Sequence, residues 1–212
     1  KAFKTDELEN ATDKAIKSVS NMIGNSEHPS VAELSFLLIA LSVVNQPNPR
    51  LASQLWSTIG LPHGRIITHP NTENPAPEAY QDYSPGQVLL ALATACAGNS
   101  STIDEERLRR AFQYYRHRFR YKRHFGQVAW LMLAFSKWWQ VTRDTDFSNF
   151  VFDVADWLLG YQQEKTGGFI NDHQPGTPGY TPAVYLEGIA APLAAAAATG
   201  ESPRGGKHFA FW

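Results

Sequence analysis

The chain has 212 residues, 43% of them apolar, and a formal net charge of −1. One globular domain of this size buries a core without disulfides or metals, and the near-neutral charge argues against a nucleic-acid binder. Cys96 is the only cysteine, which excludes an intramolecular disulfide, and within the apolar run 88–97 it reads as a small buried hydrophobe. No apolar run approaches the roughly 18 residues of a membrane span.

Taken in order, the apolar pattern predicts eight helices of two alternating kinds. The ranges are 6–23 (outer), 30–45 (inner), 48–59 (short, outer), 84–97 (inner), 102–118 (outer), 124–141 (inner), 146–163 (outer) and 181–199 (inner). The inner helices are apolar nearly all round and must be surrounded by protein, whereas the outer ones carry a single apolar face and sit at a surface. In 102–118 Leu108, Ala111, Phe112, Tyr115 and Phe119 form one stripe, and Arg109, Arg110, Gln113, Arg116 and Arg120 lie mostly off it. Residues 128–135 leave no polar face, and the alanines 194–198 are small enough for neighbouring helices to approach closely. Such alternation is what an α/α toroid requires. The expected fold class is therefore all-α, a toroid or partial toroid formed as one domain over residues 1–212.

Helix starts carry local signals. Asp6 with Glu9, Ser30 with Glu33, Ser84 with Gln87 and Thr102 with Glu105 fit the capping box, in which a short side chain and an acid or amide three residues later satisfy orphan N–H groups. Pro85 and Pro182 occupy first helical positions, where the missing N–H costs nothing. Gly24, Gly60, Gly98 and Gly200 stand where helices should stop. Pro192 should kink or restart the last helix.

A repeat underlies the pattern. The segment from Tyr83 through Ser84-Pro85-Gly86-Gln87-Val88 resembles the one beginning Tyr180-Thr181-Pro182, and Gly126-Gln127-Val128 matches Gly86-Gln87-Val88. The extra length between copies lies in loops 60–83, 119–124 and 164–180. All three enter inner helices from the same end, so they should gather at one mouth, and loops on a rigid scaffold are where binding groups sit.

Trp157-Leu158-Leu159 with Gln162, followed by Gly167-Gly168-Phe169, resembles the repeat of six-hairpin α/α-toroid proteins. These include glycoside hydrolases, N-acylglucosamine 2-epimerase-like isomerases and glucuronyl epimerases. The helix entry at Tyr83-Ser84-Pro85-Gly86 is similar to the same group, and the likeness covers about residues 80–205. The Gln-to-Gly-Gly turn is also similar to repeats in terpene cyclases and prenyltransferases. The resemblance implies a carbohydrate-active domain, a hydrolase or epimerase-like enzyme acting on or binding a saccharide, including an anionic one. The alternative is a non-catalytic scaffold or binding module of the same fold. Eight helices fall short of a complete six-hairpin ring, Lys1 stands where an initiator Met would, and the chain ends on Phe209-Ala210-Phe211-Trp212. Self-association or a longer parent chain is expected.

Glu187 sits on an apolar inner helix, where an ion is costly to bury; facing a central cavity it would be held protonated and serve as general acid. The alternative is an ion pair with a neighbouring arginine. Asp172 and His173, in the Gly-rich turn before the last inner helix, would supply the complementary base; the alternative is a turn in which Asp172 bonds neighbouring backbone N–H groups. Hydrolysis asks for two carboxyl groups roughly 5 to 9.5 Å apart. Lys122, Arg123 and His124 belong to a mouth loop and would meet a substrate carboxylate or phosphate. Gln127 lacks the preceding Ser or Thr of a capping box and would offer its amide to a ligand. Tyr83, Tyr180 and Tyr185, with Tyr80 nearby, would stack on sugar rings. Glu33 is explained by its cap. From Arg107 to His124 the chain holds seven Arg, one Lys and two His, but the helical spacing puts most of the arginines on a solvated face. There is no Cys/His zinc set, no phosphate loop and no nucleophile elbow. Asp144-Thr145-Asp146-Phe147 lacks the further aspartate of a class II terpene cyclase and fits a helix cap. No cofactor, metal, nucleic acid or membrane is expected as a partner.

Overall fold

A computed structural model describes residues 5–26, 29–69, 77–169 and 181–200. Among these residues the chain is all helical: eight α-helices, two short 3-10 turns and two isolated bridges, with no strand. The helices are α1 (Thr5–Gly24), α2 (Val31–Val43), α3 (Pro49–Ser57), α4 (Ser84–Cys96), α5 (Glu105–Tyr121), α6 (Phe125–Thr142), α7 (Thr145–Leu159) and α8 (Thr181–Thr199). None is long and apolar enough to cross a membrane.

The elements start where local chemistry starts them. Ser30 accepts from Glu33 N and the Glu33 carboxylate reaches back to Ser30 N at 2.7 Å, a complete capping box. Asn48 caps α3 ahead of Pro49, and Asp144 caps α7. Two predicted caps are replaced. Thr102 spends its hydroxyl on Asn99 O within a 3-10 turn, and Asp104 caps α5 through Arg107 N at 3.0 Å instead. Ser84 is already the first residue of α4, and no side chain caps that helix. The cap predicted at Asp6 lies outside the described side chains. Helix α8 is continuous through Pro192, so of the kink or restart expected there the restart does not occur.

The helices predicted to be inner form a row, with α2 packing on α4, α4 on α6 and α6 on α8. Around it, α1 lies against α2, α3 against α2 and α4, and α7 against α6 and α8. Helix α5 joins through its apolar stripe: Phe112 meets Phe135 of α6 and Phe147 of α7, and Phe119 meets Phe150 and Trp157 of α7. Glycines set the spacing of the row. A Cβ on Gly86 would fall 2.5 Å from Cβ of Trp130, and one on Gly188 would fall 2.9 Å from Cα of Ala129. Gly188 thus allows a close approach of α8 to α6. At the ends of the row, Phe36 and Val43 of α2 and Leu186 and Leu193 of α8 are exposed.

Two connections repeat. After α3, Gly60 N donates to Arg65 O, Gly64 N donates to Gly60 O, and Ile59 bridges Ile66. After α7, Gln163 N donates to Gly168 O, Gly167 N donates to Gln163 O, and Gln162 bridges Phe169. Gly64 and Gly167 take the left-handed conformation at the same place in each turn, with φ of 73° and 69°.

Candidate functional site

The loops ahead of α4 and α6 meet at the N-terminal ends of those two helices, and the third loop expected at the mouth lies largely outside the described residues. The turn after α3 delivers Ile66, and Tyr115 on the buried stripe of α5 receives it: Ile66 N donates to Tyr115 Oη at 3.0 Å. Tyr115 Oη donates to Gln81 Oε1 at 2.9 Å, and Gln81 Nε2 donates back to Ile66 O at 2.8 Å. The ring of three is closed and buried. Burial pushes the Tyr115 hydroxyl far up from its ordinary value, more than the Ile66 N–H bond and the charges of Arg118 and Arg65 lower it.

Asp82, one residue further along the 3-10 turn Glu78–Asp82, is 6% exposed and sits at the centre of the polar groups. Its Oδ1 accepts from Arg118 Nη2 at 2.7 Å and from Gln127 Nε2 at 2.7 Å, while Oδ2 lies 3.6 Å from His124 Nδ1. A buried carboxylate needs such pairing to remain charged. Arg118 also reaches Glu78, which in turn holds Arg65 at 2.9 Å. Burial disfavours the Arg118 charge, but its bonds to Asp82 and Glu78 outweigh that and raise it above its ordinary value. The outer edge is aromatic: the half-exposed Tyr83 ring lies over Gly126, whose Cβ would fall 2.5 Å from Tyr83 Cε1, and edge-on to His124 at 6.3 Å.

The structure brings some of the predicted residues together and parts others. Tyr83, Lys122, Arg123, His124 and Gln127 share the mouth. Lys122 and Arg123 are exposed, and the Arg123 guanidinium lies 5.8 Å from the Phe119 ring centre. Gln127 is 1% exposed. Its amide N–H groups go to Asp82 and to Lys122 O rather than outward, while its Oε1 has no hydrogen-bond partner among the described residues. Tyr185 is buried between Phe125 and Phe169 at 5.7 and 5.5 Å, so it packs beneath the loops and offers no stacking face. Glu187 is exposed on α8, without the apolar surroundings expected of it and without an ion-pair partner among the described residues. Asp172, His173 and Tyr180 lie outside the described residues. Tyr80 leans on His69 at 4.4 Å.

Sequence reasoning missed Asp82, Arg118, Gln81 and Tyr115 as site residues. Arg118 was not singled out among the arginines of its helix, yet its side chain is only 10% exposed. A signal was present, because Arg118 falls three residues after Tyr115 and adjoins Phe119 on the buried stripe. The remaining arginines of α5 are mostly structural: Arg107 pairs with Asp104, Arg109 with Asp144 and Asp146, and Arg110 with Glu106. A cavity of about 480 Å³, lined by Ile103, Glu105, Arg109, Asp144 and Phe147 among others, opens beside the C-terminal end of α6 and contains none of the predicted site residues. Among the described residues no cluster of three or more His, Cys, Asp or Glu is placed to hold a metal ion.

Set against known protein families, curated proteins and solved structures, the chain matches none. The mouth must be read from its own chemistry.

Proposed function

We propose that the chain is a carbohydrate-active domain of the α/α-toroid type, hydrolase- or epimerase-like, that acts on or binds a saccharide at the mouth. The observation that carries this reading is the pairing of a half-exposed aromatic face, Tyr83, with the partly exposed His124 edge-on to it and the exposed Lys122 and Arg123 of the same loop. A sugar ring presents an apolar face and a rim of hydroxyls, and amphipathic aromatics beside fixed polar groups suit both. The toroid assignment draws support from the row of α2, α4, α6 and α8 flanked by the other helices, and from the repeated turn after α3 and α7. Lys122 and Arg123 favour a saccharide that carries an anionic group. Glu187 stands as the candidate acid by its place on α8 alone, because it lacks the apolar surroundings that were to hold it protonated, with Asp172 or His173 as its counterpart.

A specific observation favours the non-catalytic binding module as second reading. Asp82 Oδ1 is committed to Arg118 and Gln127 and its Oδ2 faces His124, so the only buried carboxylate of the mouth among the described residues is tied to the framework. Calorimetry against neutral oligosaccharides and uronates separates these possibilities. Tyr83→Ala should weaken binding of whichever saccharide is found by roughly two- to tenfold, in line with about 0.5–1.5 kcal/mol for an aromatic contact. Binding without turnover selects the module, and turnover abolished by Glu187→Gln selects the enzyme. The absence of binding across both classes would sink the saccharide reading.

A further inference from the structure

One ring nitrogen at the mouth has two partners with opposite requirements. His124 Nδ1 accepts the Gly126 N–H at 3.1 Å and so caps α6. The same nitrogen stands 3.6 Å from Asp82 Oδ2. An imidazole nitrogen accepts only while it carries no proton. The cap therefore requires the neutral ring with its hydrogen on Nε2, which leaves an unprotonated Nδ1 3.6 Å from the Asp82 carboxylate, a repulsive approach. A proton on Nδ1 turns that repulsion into an ion pair, but takes the acceptor away from Gly126. Each protonation state satisfies one partner and abandons the other. We infer that His124 is a proton-operated switch of the mouth: neutral, it caps α6; protonated, it pairs with Asp82 and releases the Gly126 N–H.

The surroundings hold the two states in opposition. The charged or titratable groups about the ring include Asp82 from the 3-10 turn, Arg118 of α5 on the same carboxylate at 2.7 Å and Glu78 on the far side of Arg118. Tyr83 lies edge-on at 6.3 Å, and Lys122 and Arg123 precede the ring in the chain. Asp82 and Glu78 favour the charged imidazole. Arg118, Lys122, Arg123 and the loss of the cap oppose it. The consequence reaches the exposed edge of the site, because Tyr83 rests on Gly126 and Gln127 shares Asp82 with the switch. A change of partner at Nδ1 thus alters both the aromatic face and the anchoring of the buried amide.

The switch does not depend on the saccharide reading, and its test needs no ligand. Long-range ¹H–¹⁵N spectra of the labelled full chain, recorded between about pH 5 and about pH 8, report the tautomer directly. At the upper end the ring should carry its hydrogen on Nε2. On acidification Nδ1 should gain a proton, and the Gly126 amide and Tyr83 ring resonances should move with the same midpoint. Asp82→Asn should shift that midpoint down, since it removes the charge that draws the proton. His124→Asn keeps an acceptor for the cap and should leave the Gly126 amide insensitive over the whole range. If Asp82→Asn does not fold, the wild type and His124→Asn still decide the matter. A neutral ring with hydrogen on Nδ1, a Gly126 amide that ignores the His124 transition, or a midpoint unmoved in Asp82→Asn would each overturn the proposal.

Discussion

Alanine placed at Gly64 and at Gly167 separates two costs that are usually confounded. Both glycines sit at the same point of the same turn, with φ of 73° and 69°, so both substitutions force an L-residue into the left-handed region at about 1 kcal/mol. Their neighbours differ. At Gly167 the nearest atom to the new methyl is Gln162 Nε2 at 4.0 Å, and the conformational cost should be the whole effect. At Gly64 the methyl would fall 2.1 Å from Arg110 O, 2.3 Å from Arg110 C and 2.7 Å from Ala111 N. These are backbone atoms of α5, so no rotamer relieves the overlap and the turn must separate from the helix. Overpacking of that kind adds about 1–3 kcal/mol. Gly167→Ala should therefore lose about 1 kcal/mol and Gly64→Ala roughly 2–4 kcal/mol, or about 3 °C against roughly 10 °C in Tm for a chain of this length. Urea unfolding followed by tryptophan fluorescence gives both values, with a common slope expected. Equal losses at the two positions would show that the turn after α3 is not seated against α5, and the geometry of the mouth built on that contact would fail with it.

Four further outcomes follow. Tyr115→Phe keeps the ring but strands the Ile66 N–H and Gln81 Oε1, two buried groups that together should cost about 2–4 kcal/mol; a loss below about 0.5 kcal/mol in denaturant unfolding would mean that the ring of three is not formed. Because burial raises the Tyr115 hydroxyl, the stability it contributes is whole below the ordinary tyrosine value of about 10 and is lost as pH rises beyond it; ultraviolet difference spectra should show this phenol ionising only as the chain unfolds. Ser30→Ala should cost about 1 kcal/mol and weaken an acid dependence: the bonds from Ser30 N–H and Oγ–H hold the Glu33 carboxyl below its ordinary value, so the small contribution is present above the usual carboxylate range and lost as pH falls through the lowered value, and an unchanged acid limb in the variant would contradict it. Burial raises the Cys96 thiol more than the Thr102 hydroxyl bond lowers it, so a disulfide reagent should label the native chain only at its unfolding rate; immediate labelling would place Cys96 outside the core.

The helices were legible in the sequence because their signals are local. Ser30 and Glu33 lie one turn apart, Pro49 and Pro85 fix their own φ, and the stripe from Leu108 to Phe119 repeats at the helical period. The errors arise where a second local choice competes. Thr102 has the side chain of a cap, but Asn99 O takes its hydroxyl at 2.7 Å, and the task passes to Asp104. The repeated turn was half visible. Gly167-Gly168-Phe169 stood out, while its counterpart Gly64-Arg65-Ile66 shares only the glycine, since the backbone conformation constrains that one position and the others make backbone bonds open to any residue.

The mouth divides along the same line. Its exposed members, Tyr83, Lys122 and Arg123, were found because a loop before an inner helix opens toward solvent, and position alone places them. Its buried members are placed by one another. Asp82 and Arg118 are 36 residues apart and Asp82 and Gln127 are 45 apart, and nothing in either neighbourhood announces the other. Periodicity says which apolar residues are buried, because burial is what stabilises them. A charged residue is buried only if its partner is there, so its location is a property of the pair and not of the local pattern. Gln127 shows the consequence for function. Its first-turn position and lack of a capping partner made it a ligand-binding amide, yet Asp82 claims the N–H side and leaves the Oε1 side unpartnered. The amide thus serves the framework on its N–H side and keeps a buried Oε1 on the other, and that arrangement was decided by a carboxylate arriving from another helix entrance.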